Sequence, residues 1–248
     1  MQDGKMRLDL ALVERGLVAT RARAQAAIKA GHVRLRGQVA SKPSDMVSAA
    51  DEIEFDAPEH VYVSRGALKL LHALDVFGLD PSGKVCLDLG ASTGGFTQVL
   101  LERGAAFVVA VDVGHGQLAK EIESDARVRS LEGLNARDLT RRDIPEQVSF
   151  LVADLSFIGL QKALPPALAL AEKRAVLVAL IKPQFEAGPE NVGKGGIVRD
   201  PALHERICGD ISRWLSDDMG WRVLGLTQSP IEGGDGNREF LIAAEKND

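Results

Sequence analysis

Cysteine is almost absent from this chain of 248 residues: Cys86 and Cys208 stand alone, with no CxxC word and no histidine spacing to join them. A disulfide framework and a metal site are thereby excluded, and both thiols are expected in the core of a protein kept in a reducing compartment. Long apolar runs are missing as well. No strictly apolar stretch is longer than AVLVALI at 175–181, which matches a buried strand and falls far short of a membrane span. No signal-peptide pattern opens the chain, so a cytoplasmic location is expected. Internal repeats and low-complexity tracts are lacking, which excludes solenoids and disordered tails. An overall positive excess is lacking too, since the net charge is -5. Taken alone, that argues against a polyanionic partner.

The charge is unevenly spread, however. Met1 to Lys42 holds nine Lys/Arg against three acids, so this segment is +6 and the remainder is -11. A local basic surface is what an RNA footprint requires. Within this region LDLALVERG and RARAQAAIKAG read as helices, and HVRLRG and EIEF as strands. Thr20 stands at an N-cap position and Gly31 at a left-handed C-terminal cap. The words RLDLALVERGL, TRARAQAAIKAGHVRLRGQVASKP and DEIEF resemble the S4 RNA-binding domain over its whole length. The resemblance implies a small α+β module at 1–56 that grips structured RNA through phosphates, mostly by shape. Its implied contacts are Arg7, Arg21, Arg23, Lys29, Arg34, Arg36 and Lys42, joined by Arg65 beyond the module.

Residues 57–64 read as a joint, with Pro58 closing the first unit and Ser64 placed to cap a new helix. From 65 to 248 strand and helix patterns alternate: VCLDLG, FTQVLLERG, FVVAVDVG, VSFLVADLS, GLQKALPPALALAEK, AVLVALIKP and others. Such alternation predicts an α/β domain, with a mostly parallel sheet, helices on both faces, and an antiparallel pair of final strands at the edge. Ligands in that fold sit beyond the carboxyl ends of the strands.

The most informative segment is VCLDLGASTGGFT, Val85 to Thr97, where an apolar strand ending in an acid runs into a glycine-rich turn. Ser92 occupies the position at which a dinucleotide-binding turn has its second glycine, so nicotinamide cofactors are disfavoured. The Gly-Lys-Ser/Thr ending of a triphosphate loop is absent too. A second strand places Asp112 about 20 residues beyond the turn, where an acid can accept hydrogen bonds from ribose hydroxyls. These features suit an adenosine-containing ligand without a polyphosphate. They resemble the S-adenosylmethionine-binding loop of class I methyltransferases, with Asp88, Gly90, Gly94 and Asp112 at the matching places. That resemblance extends the donor site over Ala91, Ser92, Thr93, Gly95, Phe96 and Thr97, and to Asn135, Ala136 and Asp154. Arg137 is a weaker neighbour of the adenine segment, and His115 reads as a turn residue. The glycine-rich stretch QFEAGPENVGKGGIVRD, with Lys194 and Arg199, is a candidate lip over RNA.

Four further residues carry chemistry. SRGALKL contains Lys69, VADLSF contains Asp154, LIKPQFE contains Lys182 and GNREFL contains Glu239. In order and local words they resemble the Lys-Asp-Lys-Glu set of FtsJ-type ribose 2′-O-methyltransferases. Together with the S4-like module, the chain is identified as a member of the hemolysin-A-like TlyA family of rRNA methyltransferases. That resemblance implies methyl transfer from S-adenosylmethionine to a cytidine ribose 2′-hydroxyl in rRNA. The resemblance implies the large subunit and, for longer members, the small subunit as well; the chain ends after EFLIAAEK without their extra C-terminal helical extension, so the large subunit alone is expected. Lysine serves as a base when burial and a neighbouring cation favour its neutral form. Lys69 and Lys182 are therefore expected close together, Lys182 being the base, with Asp154 and Glu239 orienting them. Three rival readings stand beside it: a base methyltransferase, whose Asn/Asp-Pro-Pro-aromatic word is replaced here by DLSF; a non-enzymatic RNA-binding assembly factor; and a membrane-lytic protein, for which the sequence supplies no spanning or strongly basic amphipathic segment.

Overall fold

The computed structural model describes residues 5–18, 21–29, 31–55 and 62–248, with the backbone alone at 22, 23 and 26. The expected cap at Thr20, the side chain of Arg23 and the joint at 57–61 lie outside the described residues. The chain divides into two units, Met1–Val61 and Tyr62–Asp248.

The smaller unit runs β1 (Met6–Arg7), α1 (Leu8–Glu14), α2 (Arg21–Lys29), β2 (Val33–Leu35), β3 (Gln38–Val39), β4 (Met46–Val47) and β5 (Ile53–Phe55). Leu8, Ala11 and Leu12 share one face of α1, while Ala24, Ala27 and Ile28 share one face of α2. These stripes meet Val33 and Val47 in a common core. Gly31 adopts φ +81° after α2, the left-handed cap anticipated from its position. β2 is central in a three-stranded antiparallel sheet, and Arg36 and Gly37 both take positive φ in the tight turn to β3. β1, β3 and β4 have two residues each, too few to show an alternation, and sequence reading did not find them.

The larger unit begins with α3 (Ala67–Phe77), followed by β6 (Val85–Leu89), α4 (Gly95–Glu102), β7 (Phe107–Asp112), α5 (Lys120–Glu123), β8 (Val128–Glu132) and β9 (Val148–Ala153). Then come α6 (Leu160–Ala163), α7 (Pro165–Leu170), β10 (Ala171–Ile181), α8 (Pro183–Glu186), α9 (Pro201–Arg213), β11 (Trp221–Gln228) and β12 (Phe240–Lys246). The sheet order is β11-β12-β10-β9-β6-β7-β8. β8, β7, β6, β9 and β10 are parallel, and β12 runs antiparallel between β10 and β11. The strand that opposes the others is thus one in from the edge, and β11 forms the edge itself. GLQKALPPALALAEK, read as one helix, is broken at Pro165 into α6 and α7, because proline lacks the N–H that would continue the ladder.

Alternation along the strands sorts two cores. Leu87, Val109, Leu151 and Leu177 face one side with α6, α7 and α9. Cys86, Val108, Phe150 and Val178 face the other with α3 and α4. Both cysteines are buried, and desolvation pushes the Cys86 thiol up to about 12 and Cys208 up to about 11. Neither is a nucleophile.

Candidate active site

Beyond β6 the chain turns at Gly90, φ +81°, and Gly94, φ +96°. A Cβ on Gly90 would stand 2.4 Å from the Asp154 carbonyl oxygen, and one on Gly95 would stand 2.2 Å from Ser64 Oγ. Only glycine lets this turn lie against β9's end and the start of α3. Ser64 does not cap α3 directly. Its hydroxyl accepts from the Gly66 N–H at 3.1 Å and so braces the turn before the helix. Ser92 adopts φ +49°, a left-handed residue where a glycine would be at home.

Asp112, at the carboxyl end of β7, accepts from the backbone N–H of Ser92 at 2.8 Å and of Gly114 at 2.7 Å. It ties the two loops together while lining a cleft of about 770 Å³ whose walls also include Gly90, Asn135 and Ala136. Asn135 opens a short 3₁₀ turn, its Oδ1 accepting from the Arg137 N–H. His115 lies over Gly133 in a neighbouring turn and does not line the cleft. Concavity, a glycine-only wall, an acid at the second strand and an amide at the third fit an adenosine-bearing donor.

Two expected donor contacts sit behind the turn. Asp88 and Thr97 are both fully buried, and the Thr97 hydroxyl donates to Asp88 Oδ2 at 2.6 Å. Desolvation, reinforced by the charges of Asp154 and Asp112, pushes Asp88 up to about 7, against the opposing Thr97 bonds. Its Oδ1 has no hydrogen-bond partner. These residues shape the turn from beneath.

A smaller cavity of about 250 Å³ shares Gly90, Ser92 and Asp154 with the cleft, and adds Lys69, Arg65 and Phe96. Around it the four chemical residues converge as two ion pairs. Lys182 Nζ lies 2.5 Å from Asp154 Oδ1 and donates to Ser156 Oγ at 2.9 Å. Lys69 Nζ donates to Glu239 Oε2 at 2.5 Å, and this pair is buried on both sides. Each lysine thus closes on a carboxylate. Lys69 and Asp154 line the cavity; Glu239 and Lys182 stand behind them. Glu239 directly precedes β12, its carboxylate packed so close to Gly233 that a Cβ there would be 2.5 Å from Oε1.

Sequence reading missed Ser156, which engages Lys182, and Phe157, which is 90% exposed at φ +64° with its ring 5.1 Å from that of Phe185. Both phenylalanines line the large cleft. The signal lay in the word DLSF itself, since a left-handed, solvent-facing aromatic has no packing reason to be there.

The basic surface of the small unit is partly self-neutralised. Arg7 and Arg21 both bond the buried Asp9, at 3.0 Å each, and Gln25 is a third partner. Arg7 above all holds the Asp9 carboxyl well below the ordinary carboxylate range. Arg36 is paired with Asp51 at 2.8 Å. Lys29, Arg34 and Lys42 are exposed. Arg65 belongs to the larger unit, at the small cavity. Among the described residues no three His, Cys, Asp or Glu side chains group to hold a metal, and no helix is long and apolar enough to cross a membrane.

A glycine-turned parallel sheet with an antiparallel strand next to its edge, and a charged quartet beyond its carboxyl ends, define a Rossmann-like methyltransferase. The model of the FtsJ-like methyltransferases matches residues 62–246, and that of the S4 domain matches residues 6–53. The chain belongs to the FtsJ-like methyltransferase family, in the TlyA group that couples that fold to an S4 domain. The 16S/23S rRNA (cytidine-2′-O)-methyltransferase TlyA of Mycobacterium tuberculosis is 47% identical, covering 96% of this chain and 89% of the relative. The 23S rRNA (cytidine-2′-O)-methyltransferase TlyA of Campylobacter jejuni is 34% identical over 83% of this chain and 79% of its own. A solved structure from Streptococcus thermophilus, named provisionally as a hemolysin, is 41% identical with a TM-score of 0.76, covering 99% of this chain and 90% of its own.

Proposed function

We propose that this enzyme transfers a methyl group from S-adenosylmethionine to the ribose 2′-hydroxyl of a cytidine in large-subunit rRNA, in the cytoplasm. The convergence of Lys69, Asp154, Lys182 and Glu239 beside the glycine turn carries this reading. The relatives' names support the substrate, since 23S rRNA is common to both. We assign residues 1–56 to RNA capture, 57–64 to a joint and 65–248 to catalysis.

The donor is held by Gly90, Ser92, Asp112, Asn135 and Ala136, and supplies an electrophilic methyl group beside Asp154. A ribose hydroxyl is a weak nucleophile, so it needs a base and alignment. For the 2′-oxygen to bond the methyl carbon, the donor's carbon–sulfur bond would break with its sulfur leaving as a thioether, and the hydroxyl proton would pass towards the Lys182–Asp154 pair, whose lysine has to enter the step as the neutral amine to accept it. Ser156 fixes the direction of Nζ. Lys69, locked by Glu239, presents a cation on the wall of the cavity to orient the hydroxyl. Phe157 offers an exposed ring on which a nucleobase can stack. Lys29, Arg34 and Lys42 supply the phosphate contacts of the small unit, with Arg7, Arg21 and Arg36 held in place by their acids.

Mapping 2′-O-methylation in rRNA with and without the enzyme tests this directly. One large-subunit cytidine should lose its mark when the protein is removed. Identical maps in both subunits would overturn the assignment, and a small-subunit mark would widen it.

A further inference from the structure

A third cavity, of about 370 Å³, is used by none of the chemistry above. Arg199 and Arg238 stand on its wall, with the buried His204 also lining it. Glu232 lines both this cavity and the small catalytic one, so the two are neighbours. Several arginines of this unit are neutralised locally, as Arg103 is by Asp75 and Arg129 by Glu146. Among the described residues, Arg199 and Arg238 have no side-chain ion pair or hydrogen bond, although both are exposed.

Their placement is built rather than incidental. Asn237 is fully buried; its Oδ1 accepts from the Val198 N–H at 2.9 Å and its Nδ2 donates to the Gly196 carbonyl at 2.9 Å. The two residues in that clasp, Val198 and Asn237, are the ones that directly precede Arg199 and Arg238. His204 supports the same junction, its ring nitrogen 3.0 Å from the Val198 carbonyl and its edge against Phe240. Two backbones about 40 residues apart are thus fixed together, each presenting one uncompensated guanidinium to one hollow.

We infer that this hollow is a phosphate subsite, in which Arg199 and Arg238 grip a backbone phosphodiester of the RNA strand whose ribose is being methylated. The inference rests on the RNA-methylation reading. Guanidinium forks match phosphate oxygens, and among the described residues no carboxylate is close enough to either of these two to form an ion pair with it. Glu232, on the shared wall, repels a phosphate from the catalytic side and so directs it towards the arginines. Contacts of this kind set the register of a strand without reading its bases.

The test uses the full-length enzyme with rRNA, comparing wild type, Arg199→Ala/Arg238→Ala, Arg199→Lys/Arg238→Lys, and a charge-matched control, Arg142→Ala/Lys173→Ala. The alanine pair should raise KM for RNA by roughly 10-fold or more, with kcat and KM for the methyl donor little changed. Its log–log salt slope for RNA binding should be shallower by about 0.7 to 1, the signature of one lost phosphate contact. The lysine pair should recover part of the affinity, and the control should match wild type. An unchanged KM and salt slope in the alanine pair, or an equal loss in the control, overturns the subsite. If wild type methylates no rRNA, the functional reading fails instead, and the salt slope of binding alone still decides the subsite.

Discussion

The two ends of the catalytic cleft are made of different material. The proposed donor end, at the tips of β6 and β7, is mainly backbone: two positive-φ glycines, main-chain N–H groups and one carboxylate that those groups hold. The acceptor end, at the tips of β9, β10 and β12, is charged side chains in two ion pairs. Backbone binds a ligand whose shape is constant and cannot be titrated away; side chains move protons. Donor-end substitutions should therefore act through shape and binding, and acceptor-end substitutions through rate.

The sharpest way to break that contrast is Lys182→Ala. It should lower kcat by at least about 10³-fold while donor affinity, read by calorimetry, stays within about twofold. Full turnover would remove Lys182 from the mechanism and leave the acceptor end a binding surface.

The buried pair separates stability from rate. Lys69→Met alone strands the Glu239 charge and should cost about 3–5 kcal/mol in denaturant unfolding. Combining it with Glu239→Gln should restore much of that stability with no recovery of turnover. A double variant that regains activity would show the pair to be scaffolding.

At the donor end, Gly90→Ala forces a Cβ to 2.4 Å from the Asp154 carbonyl. The expected result is a loss of roughly 1–3 kcal/mol from left-handed strain, with donor affinity down at least about 10-fold. Wild-type donor binding in this variant would mean that the turn does not touch the donor.

Asp88 gives the smallest effect. Its folded-state value, pushed up to about 7, lies above that of the unfolded chain. The folded protein then retains a proton that the unfolded chain releases near pH 4, so this contribution is full below about 4 and is lost as pH rises through about 7. Between pH 5 and 8 the wild-type melting temperature should fall by about 2–4 °C more than that of Asp88→Asn for each kcal/mol involved. Parallel pH profiles for the two proteins would refute the burial argument.

The same contrast explains what could be read from sequence. Glycine spacing, the Ser92 substitution and Asp112 are local signals, so the donor end was legible within one stretch of chain. Asp88 and Thr97 were expected in it by position, yet both lie buried beneath the turn, and one-dimensional spacing does not carry depth. The acceptor end joins positions 170 residues apart, and only whole-family words linked Lys69 to Glu239. Which carboxylate meets which lysine was not legible there, because it depends on β12 entering between β10 and β11. Asp9 was invisible for a similar reason: an acid among arginines reads as one charge fewer, although it is the post to which Arg7 and Arg21 are tied.

That insertion of β12 also bears on how the molecule is made. β10 ends at Ile181 and β11 at Gln228, yet neither can hydrogen-bond the other, because the slot between them belongs to a strand that starts at Phe240. While a nascent chain lengthens, β10 must keep an open edge until the last sheet partner emerges, and open apolar edges recruit foreign strands. Closing that slot delivers Glu239 to Lys69 in the same movement, so the moment of greatest aggregation hazard ends when the enzyme becomes competent.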